Sequence, residues 1–237
     1  MKKIALISDI HGNYPALEAL LEAIKGEGVD EIICLGDTLA IGPQPYECIT
    51  RLLHDRVTLV NGNHETYFIE GVDAFPEVGP GERSHQKWVA SLLNDTIKSR
   101  LKDLPLILYR KIGGRQMAFT HYSTKKGRFV YSNQPRTSQV LDDLFSEVQA
   151  DLILYGHEHE KVHQVVKGRA EYICLGSSAC SKKQDAHYSL VTYDHETYTL
   201  EEKRVAYDFE SFYAILRAVD FPEKAMIMKS FYGLSED

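Results

Sequence analysis

The chain has 237 residues, a formal net charge of -7, 43% hydrophobic and 26% charged residues. That length fits one large domain, and the hydrophobic share supports a proper core. The acidic balance argues against long nucleic acid or an anionic membrane surface held by bulk charge. The apolar run after Met1-Lys2-Lys3 stops at Asp9, too early for a secretory leader, and no apolar run reaches membrane-span length. A cytoplasmic protein is therefore expected. Cys34, Cys48, Cys174 and Cys180 lack CxxC spacing. They are expected as reduced core residues rather than as a zinc site.

In chain order, Ile4–Ile7 reads as a short buried strand ending at Ser8-Asp9-Ile10-His11. A helix follows, with Ala16, Leu17, Leu20, Leu21 and Ile24 on one face. Asn13 serves as its capping residue or as a substrate contact. Glu31–Leu35 is a second strand and stops at Gly36-Asp37. A helix over Tyr46–His54 leads to a third strand, Val57–Val60, which stops at Asn61-Gly62-Asn63-His64-Glu65. Three strands separated by helices predict a mainly parallel sheet.

Residues 66–104 break this rhythm. Glu70–Gly81 reads as loop and Glu82–Ile97 as one helix, together an insertion that covers the site or simply packs beside it. Trp88 is expected in the core. Leu106–Tyr109 and Gln116–Thr120 read as a hairpin turned at Gly113-Gly114-Arg115, the second strand stopping at His121. Lys125–Arg136 is polar and irregular, and Thr137–Val148 is helical. Asp151–Tyr155 is a strand that stops at Gly156-His157-Glu158-His159. Four later strands are expected antiparallel. Helical segments at Phe209–Val219 and Glu223–Phe231 form a tail over 207–237. No linker or repeat divides the chain, so residues 1–237 read as a single domain.

Strand after strand thus ends in a metal-binding residue type: Asp9 and His11, Asp37, Asn63 and His64, His121, His157 and His159. The carboxyl ends of neighbouring parallel strands converge on one edge, so these side chains can meet. Oxygen and imidazole donors without thiolate suit Mn, Fe or Zn rather than calcium or a structural zinc. The donors suffice for two ions, and Asp37 is the candidate bridge.

The series Asp9-x-His11, Gly36-Asp37, Gly62-Asn63-His64-Glu65, His121 and Gly156-His157-x-His159 resembles the calcineurin-like metallophosphoesterase superfamily over residues 4 to about 180. The tail from Arg204-Val205-Ala206-Tyr207-Asp208 looks like that of its small YfcE-type phosphodiesterase branch. The resemblance implies an α/β (α+β) fold, a four-layer α/β/β/α sandwich with mixed sheets. It implies a first metal on Asp9, His11 and His159, a second on Asn63, His121 and His157, and Asp37 bridging. His64 would face the phosphate without binding metal, stabilising the transition state or protonating the leaving oxygen, and Glu65 would orient it or stand as a solvated helix-start acid. Where the family often has Asn-Pro-Gly-Ser, this chain reads Cys174-Leu175-Gly176-Ser177-Ser178.

The implied activity is a dinuclear metal-dependent phosphoesterase, with Mn the leading ion and Fe, Zn, Ni or Co the alternatives. Metal-activated water would hydrolyse a small phosphodiester or phosphoanhydride, nucleotide-like in kind. The rivals are a phosphomonoesterase or Ser/Thr protein phosphatase and, outside enzymes, a metal-binding scaffold. No arginine stands beside the Gly-Asp or Gly-Asn-His motifs, which weighs against the protein phosphatase. Lys125, Lys126 and Arg128 read as a solvated run, Tyr67 and Tyr122 as weak base-stacking candidates. His54, His85, His163, His187 and His195 read as surface or structural. A homo-oligomer is compatible with the sequence, and no membrane partner is expected.

Overall fold

The computed structural model describes residues 1–112, 114–194 and 197–235. Gly113 of the expected hairpin turn and His195 lie outside them. Short apolar runs form the early strands: β1 (Lys2–Ile7), β2 (Glu31–Cys34) and β3 (Thr58–Leu59) alternate with α1 (Tyr14–Lys25) and α2 (Pro45–His54). Asn13 starts α1 by accepting from Ala16 N at 3.2 Å, and Pro15 sits in the first turn, where its missing N–H costs nothing. Helix α3 (Asn63–Glu70) follows directly on the third strand's loop. Then come α4 (Pro80–Leu92) and α5 (Asp95–Lys102).

The single helix expected over Glu82–Ile97 is two helices. Asn94 caps the second by accepting from Ile97 N at 3.0 Å, so the chain turns at Leu93-Asn94 although the apolar periodicity runs through it. The stretch expected as loop before α4 contains a 3-10 turn at Val72–Ala74.

Strands β4 (Ile107–Ile112) and β5 (Arg115–Thr120) pair antiparallel, and β6 (Thr124–Lys125) with β7 (Arg128–Phe129) forms a small hairpin in the stretch expected to be irregular. After α6 (Ser138–Leu144) come β8 (Leu152–Tyr155), β9 (Lys161–Val166), β10 (Ala170–Leu175), β11 (Asp185–Tyr193) and β12 (Tyr198–Ala206). The antiparallel expectation holds for β9 with β10 and for β11 with β12, whereas β10 also lies parallel to β8. Helices α7 (Phe209–Ala218) and α8 (Lys224–Ile227) close the chain, the latter running into a π-helical turn at Met228–Tyr232.

Two mixed sheets result, in the orders β12-β11-β1-β2-β3 and β4-β5-β8-β10-β9. The inner strands β1, β8 and β10 read as near-continuous apolar runs because both faces are covered, whereas the edge strands β9 and β12 alternate. Ile4, Leu6, Ile33, Phe119, Leu154 and Ile173 fill the space between the sheets. Alternate residues point outward, Ala5 and Ile7 against α1 and α2, Ala118, Ile153 and Tyr172 against α6. The layers are α/β/β/α, as the resemblance implies. Trp88 stacks on Phe221 at 5.1 Å and joins packing rather than a ligand surface. All four cysteines are free and buried. Among the described residues no helix is long and apolar enough to cross a membrane.

Candidate metal centre

The loops that carry the predicted site residues leave the carboxyl ends of β1, β2, β3, β5 and β8, and the backbone ties these loops together. Asp9 N–H donates to Gly36 O at 3.0 Å, His11 N–H to Asp37 O at 3.0 Å, and Gly156 N–H to His121 O at 2.9 Å. Ser177 hydroxyl donates to Asp9 O at 2.7 Å, and Ser178 N–H to Ser8 O at 2.8 Å, so the Cys174–Ser178 stretch buttresses the first loop. Gly36 has φ +93°, and a Cβ there would stand 2.6 Å from Gly62 N. A Cβ on Gly62 would run into the Asp37 carboxylate. Both motif glycines are therefore required by the close backbone approach of two loops.

Asp9, His11, Asp37, His157 and His159 have φ of 53°, 48°, 51°, 70° and 56°. For residues with a Cβ this left-handed region costs about 1–2 kcal/mol each. It persists where neighbours over-determine the backbone, as these loop-to-loop hydrogen bonds do, and such strain concentrates at functional sites.

The side chains of Asp9, His11, Asp37, Asn63, His64, His121, His157 and His159 converge. His11 Nε2 lies 3.0 Å from His159 Nε2 and 3.8 Å from Asp9 Oδ1, and His159 Nε2 lies 3.5 Å from Asp9 Oδ1. A second set has Asn63 Oδ1 at 3.2 Å from His121 Nε2 and 3.1 Å from His157 Nδ1. Asp37 Oδ2 stands between the sets, 3.1 Å from His121 Nε2, 3.8 Å from His11 Nε2 and 3.7 Å from His64 Nε2.

Adjacent ligands on an ion bonded at about 2.1 Å stand about 3 Å apart. These spacings fit that requirement. The far ring nitrogens are occupied: His11 Nδ1–H donates to Leu39 O at 3.0 Å and His121 Nδ1–H to Leu35 O at 2.9 Å. That orientation turns both Nε2 atoms into the cluster, as metal ligation needs. Asp9 is held by the Ser8 hydroxyl and by His157 N–H at 3.1 Å.

The electrostatics favour cation-binding forms at Asp37, His11, His157 and His159 and oppose them at Asp9 and His121. Burial raises the Asp9 carboxyl despite the nearby His121 and His159. Burial also works to raise Asp37, but His121, His64 and His11 outweigh it and hold that carboxyl well below its ordinary range. Burial lowers His11 and His159, and it lowers His157 to about 3 with His121 adding to the effect. His121 is the exception, since Asp37 overcomes the burial penalty and lifts it to about 9. Buried, uncharged imidazoles with inward lone pairs beside an ionised carboxylate are good cation ligands.

Other predicted residues fall outside the cluster. Glu65 does not orient His64. Its Oε1 accepts from Thr38 N at 2.8 Å and Leu39 N at 3.1 Å, its Oε2 from Asp37 N at 2.9 Å and Gly62 N at 2.8 Å. The carboxylate is consumed by loop backbone. His64 Nδ1 instead meets the amide of Gln86, a contact that sequence reading missed because one glutamine on an amphipathic helix has no local signature. Asn13 is a helix cap whose amide also donates to Ala179 O at 2.9 Å. Tyr122 is fully buried, while Tyr67 reaches a cavity of about 810 Å3 over the cluster. Asp37, Asn63, His64, His157 and His159 line that cavity with Tyr131, Phe231, Glu77, Glu82 and Lys182. Lys125 and Lys126 stand apart from it, and Arg128 lines a neighbouring cavity.

Comparison with known proteins agrees with this geometry. An uncharacterized protein of Methanocaldococcus jannaschii, MJ0912, is 34% identical over 158 residues, 66% of this chain and 62% of that one. Phosphodiesterase YfcE of Escherichia coli is 31% identical over 93 residues, 35% of this chain and 50% of that one. The chain thus matches less than two thirds of the length of either relative. The crystal structure of a metallophosphoesterase from Sphaerobacter thermophilus shares the fold, with a TM-score of 0.71 and 23% identity over 94% of this chain and 95% of that one. Residues 1–197, a span holding every side chain of the cluster, match the calcineurin-like phosphoesterase superfamily domain, and the chain belongs to that superfamily.

Proposed function

We propose that the protein is a dinuclear metal-dependent phosphoesterase that hydrolyses phosphodiester or phosphoanhydride bonds of small, nucleotide-like substrates. Asp9, His11 and His159 would hold one ion and Asn63, His121 and His157 the other. The observation that carries this reading is the place of Asp37, whose single oxygen Oδ2 faces His11, His64 and His121 from between the two sets. When bound, such ions polarise the phosphoryl oxygens and make water a nucleophile at neutral pH.

The chain's own residues supply the rest. The hydrogen bonds behind His11 and His121 fix their rings. His64, with its side chain 11% exposed at the cavity wall, presents Nε2 to donate toward the substrate's phosphoryl or leaving oxygen. The cavity of about 810 Å3 suits a nucleotide-sized ligand. No arginine is among its lining residues, which favours a small diester over a phosphoprotein.

Hydrolysis of bis-p-nitrophenyl phosphate with added Mn2+ tests the reading. Turnover should vanish with chelator, return with Mn2+, and fall below about one per cent in Asp37→Asn, since even residues behind metal ligands cost about 10–100-fold. Undiminished turnover in that variant, or none with any divalent metal and any phosphoester, would refute it.

A further inference from the structure

We infer that Gln86 is the positioning residue of His64, holding the ring at the angle from which Nε2 faces the substrate. The inference rests on the role of His64 proposed above. Two faces of that ring are already bounded, by His11 at 5.2 Å and an interplanar angle of 81° and by Tyr67 at 5.8 Å and 90°. Both are T-shaped contacts between rings, which crowd the imidazole but supply no hydrogen bond against rotation about its Cβ–Cγ bond. The Gln86 amide supplies that bond. It reaches Nδ1 from α4, is 4% exposed, and is the hydrogen-bond partner of that nitrogen among the described residues. Glu65, the residue after His64, has no capacity left for the task because four backbone N–H groups occupy it.

Gln86 can do this because α4 is pinned in the turn that leads into it. Arg83 donates to Val72 O at 2.8 Å, Phe75 O at 2.8 Å and Val78 O at 2.9 Å. His85 accepts from Ile41 N at 2.9 Å through Nε2 and donates through Nδ1–H to Pro222 O at 3.1 Å. Arg83 ties α4 to the loop before it, His85 to the loop after β2 and to the tail. Gln86 then has little freedom to follow His64 and makes His64 follow it. An amide meets Nδ1 with either its oxygen or its N–H, and both orientations hold the ring at the same angle.

The test compares methyl phenyl phosphate with methyl p-nitrophenyl phosphate, which share one arm and differ in how much the leaving oxygen needs a proton. In Gln86→Ala, kcat on the phenyl ester should fall about 10–100-fold, and on the p-nitrophenyl ester about threefold or less, with KM and metal content held within about twofold. His64→Ala with Gln86→Ala should be no slower than His64→Ala alone. Gln86→Glu, whose oxygen can accept from an Nδ1–H where the Gln86 amide nitrogen now faces Nδ1, should keep turnover within about tenfold of native. Gln86→Met serves in place of Ala if the smaller side chain fails to fold. An equal fall on both esters, losses that add to those of His64→Ala, or His64→Ala itself showing no dependence on the leaving group would overturn the inference. All three leave the phosphoesterase reading standing. Absence of any hydrolysis by the native protein removes both.

Discussion

Glu65 shows how one side chain can shape a metal site without entering it. Burial and the nearby Asp37 raise its carboxyl, while its backbone donors pull the other way. Each oxygen takes two N–H donors, so Glu65→Gln would turn an amide nitrogen toward two of them whichever way it flips. Two buried donors left without acceptors cost about 3 kcal/mol together. Urea unfolding should register that loss, and because the freed N–H groups belong to Asp37, Thr38, Leu39 and Gly62, metal content measured after gel filtration should fall with it. Retained stability and retained metal would show that the loop holds its shape unaided. The sequence leaves Glu65 either orienting His64, as carboxylates behind metal sites do, or standing as a solvated helix-start acid; it starts the helix, but buried. A helix start turns the side chain three residues past the cap back toward the backbone instead.

At the scale of the element, α4 was legible as a helix but not as part of the site. Its apolar face over Val89 and its aromatic Trp88 follow helical spacing. The residues that matter for the centre, Arg83, His85 and Gln86, are polar residues whose partners lie far along the chain, and no local pattern encodes such partners. The end of α4 was missed for a related reason: Leu92, Leu93 and Ile97 keep an apolar rhythm across Asn94, whose cap overrides it. His85 gives the element a pH dependence. Burial lowers this imidazole to about 4, against the pull of Pro222 O. Its folded pKa lies below the unfolded value of 6.5. Its contribution is therefore complete above about pH 6.5 and is lost as the pH falls toward 4. That window is worth about 3 kcal/mol. His85→Gln, which can still donate and accept without titrating, should flatten the fall in urea midpoint between pH 7 and 4.5. An unchanged slope would mean that His85 titrates normally.

For the whole molecule, the strand endings made most of the arrangement readable. An apolar run that stops on Asp or His marks a strand end whatever the tertiary fold, and parallel pairing then fixes which edge receives it. The centre draws Asp9, His11, Asp37 and Asn63 from one sheet's loops and His121, His157 and His159 from the other's. An ion bound there would fasten the two sheets together, and a ligand that binds only the native state adds stability. At a hundredfold excess over Kd the gain is about 2.7 kcal/mol. Chelator should therefore lower Tm by about 5–10 °C, and Mn2+ should restore it. A Tm indifferent to chelator would mean that the donor set holds no ion in solution.

The division of the donors between two sheets also imposes a sequence in time. As the chain is synthesised, Asp9, His11, Asp37 and Asn63 emerge first, His121 follows when about half of the 237 residues are out, and His157 and His159 only when about two thirds are. The early segment carries oxygen donors and one ligating imidazole, a set that grips transition metals weakly. The full set forms only after β5 and β8 have paired and the second sheet has docked on the first. Any loading of the centre would thereby be deferred to a nearly complete fold, and a chain truncated before His157 keeps only one imidazole of each donor set, His11 and His121.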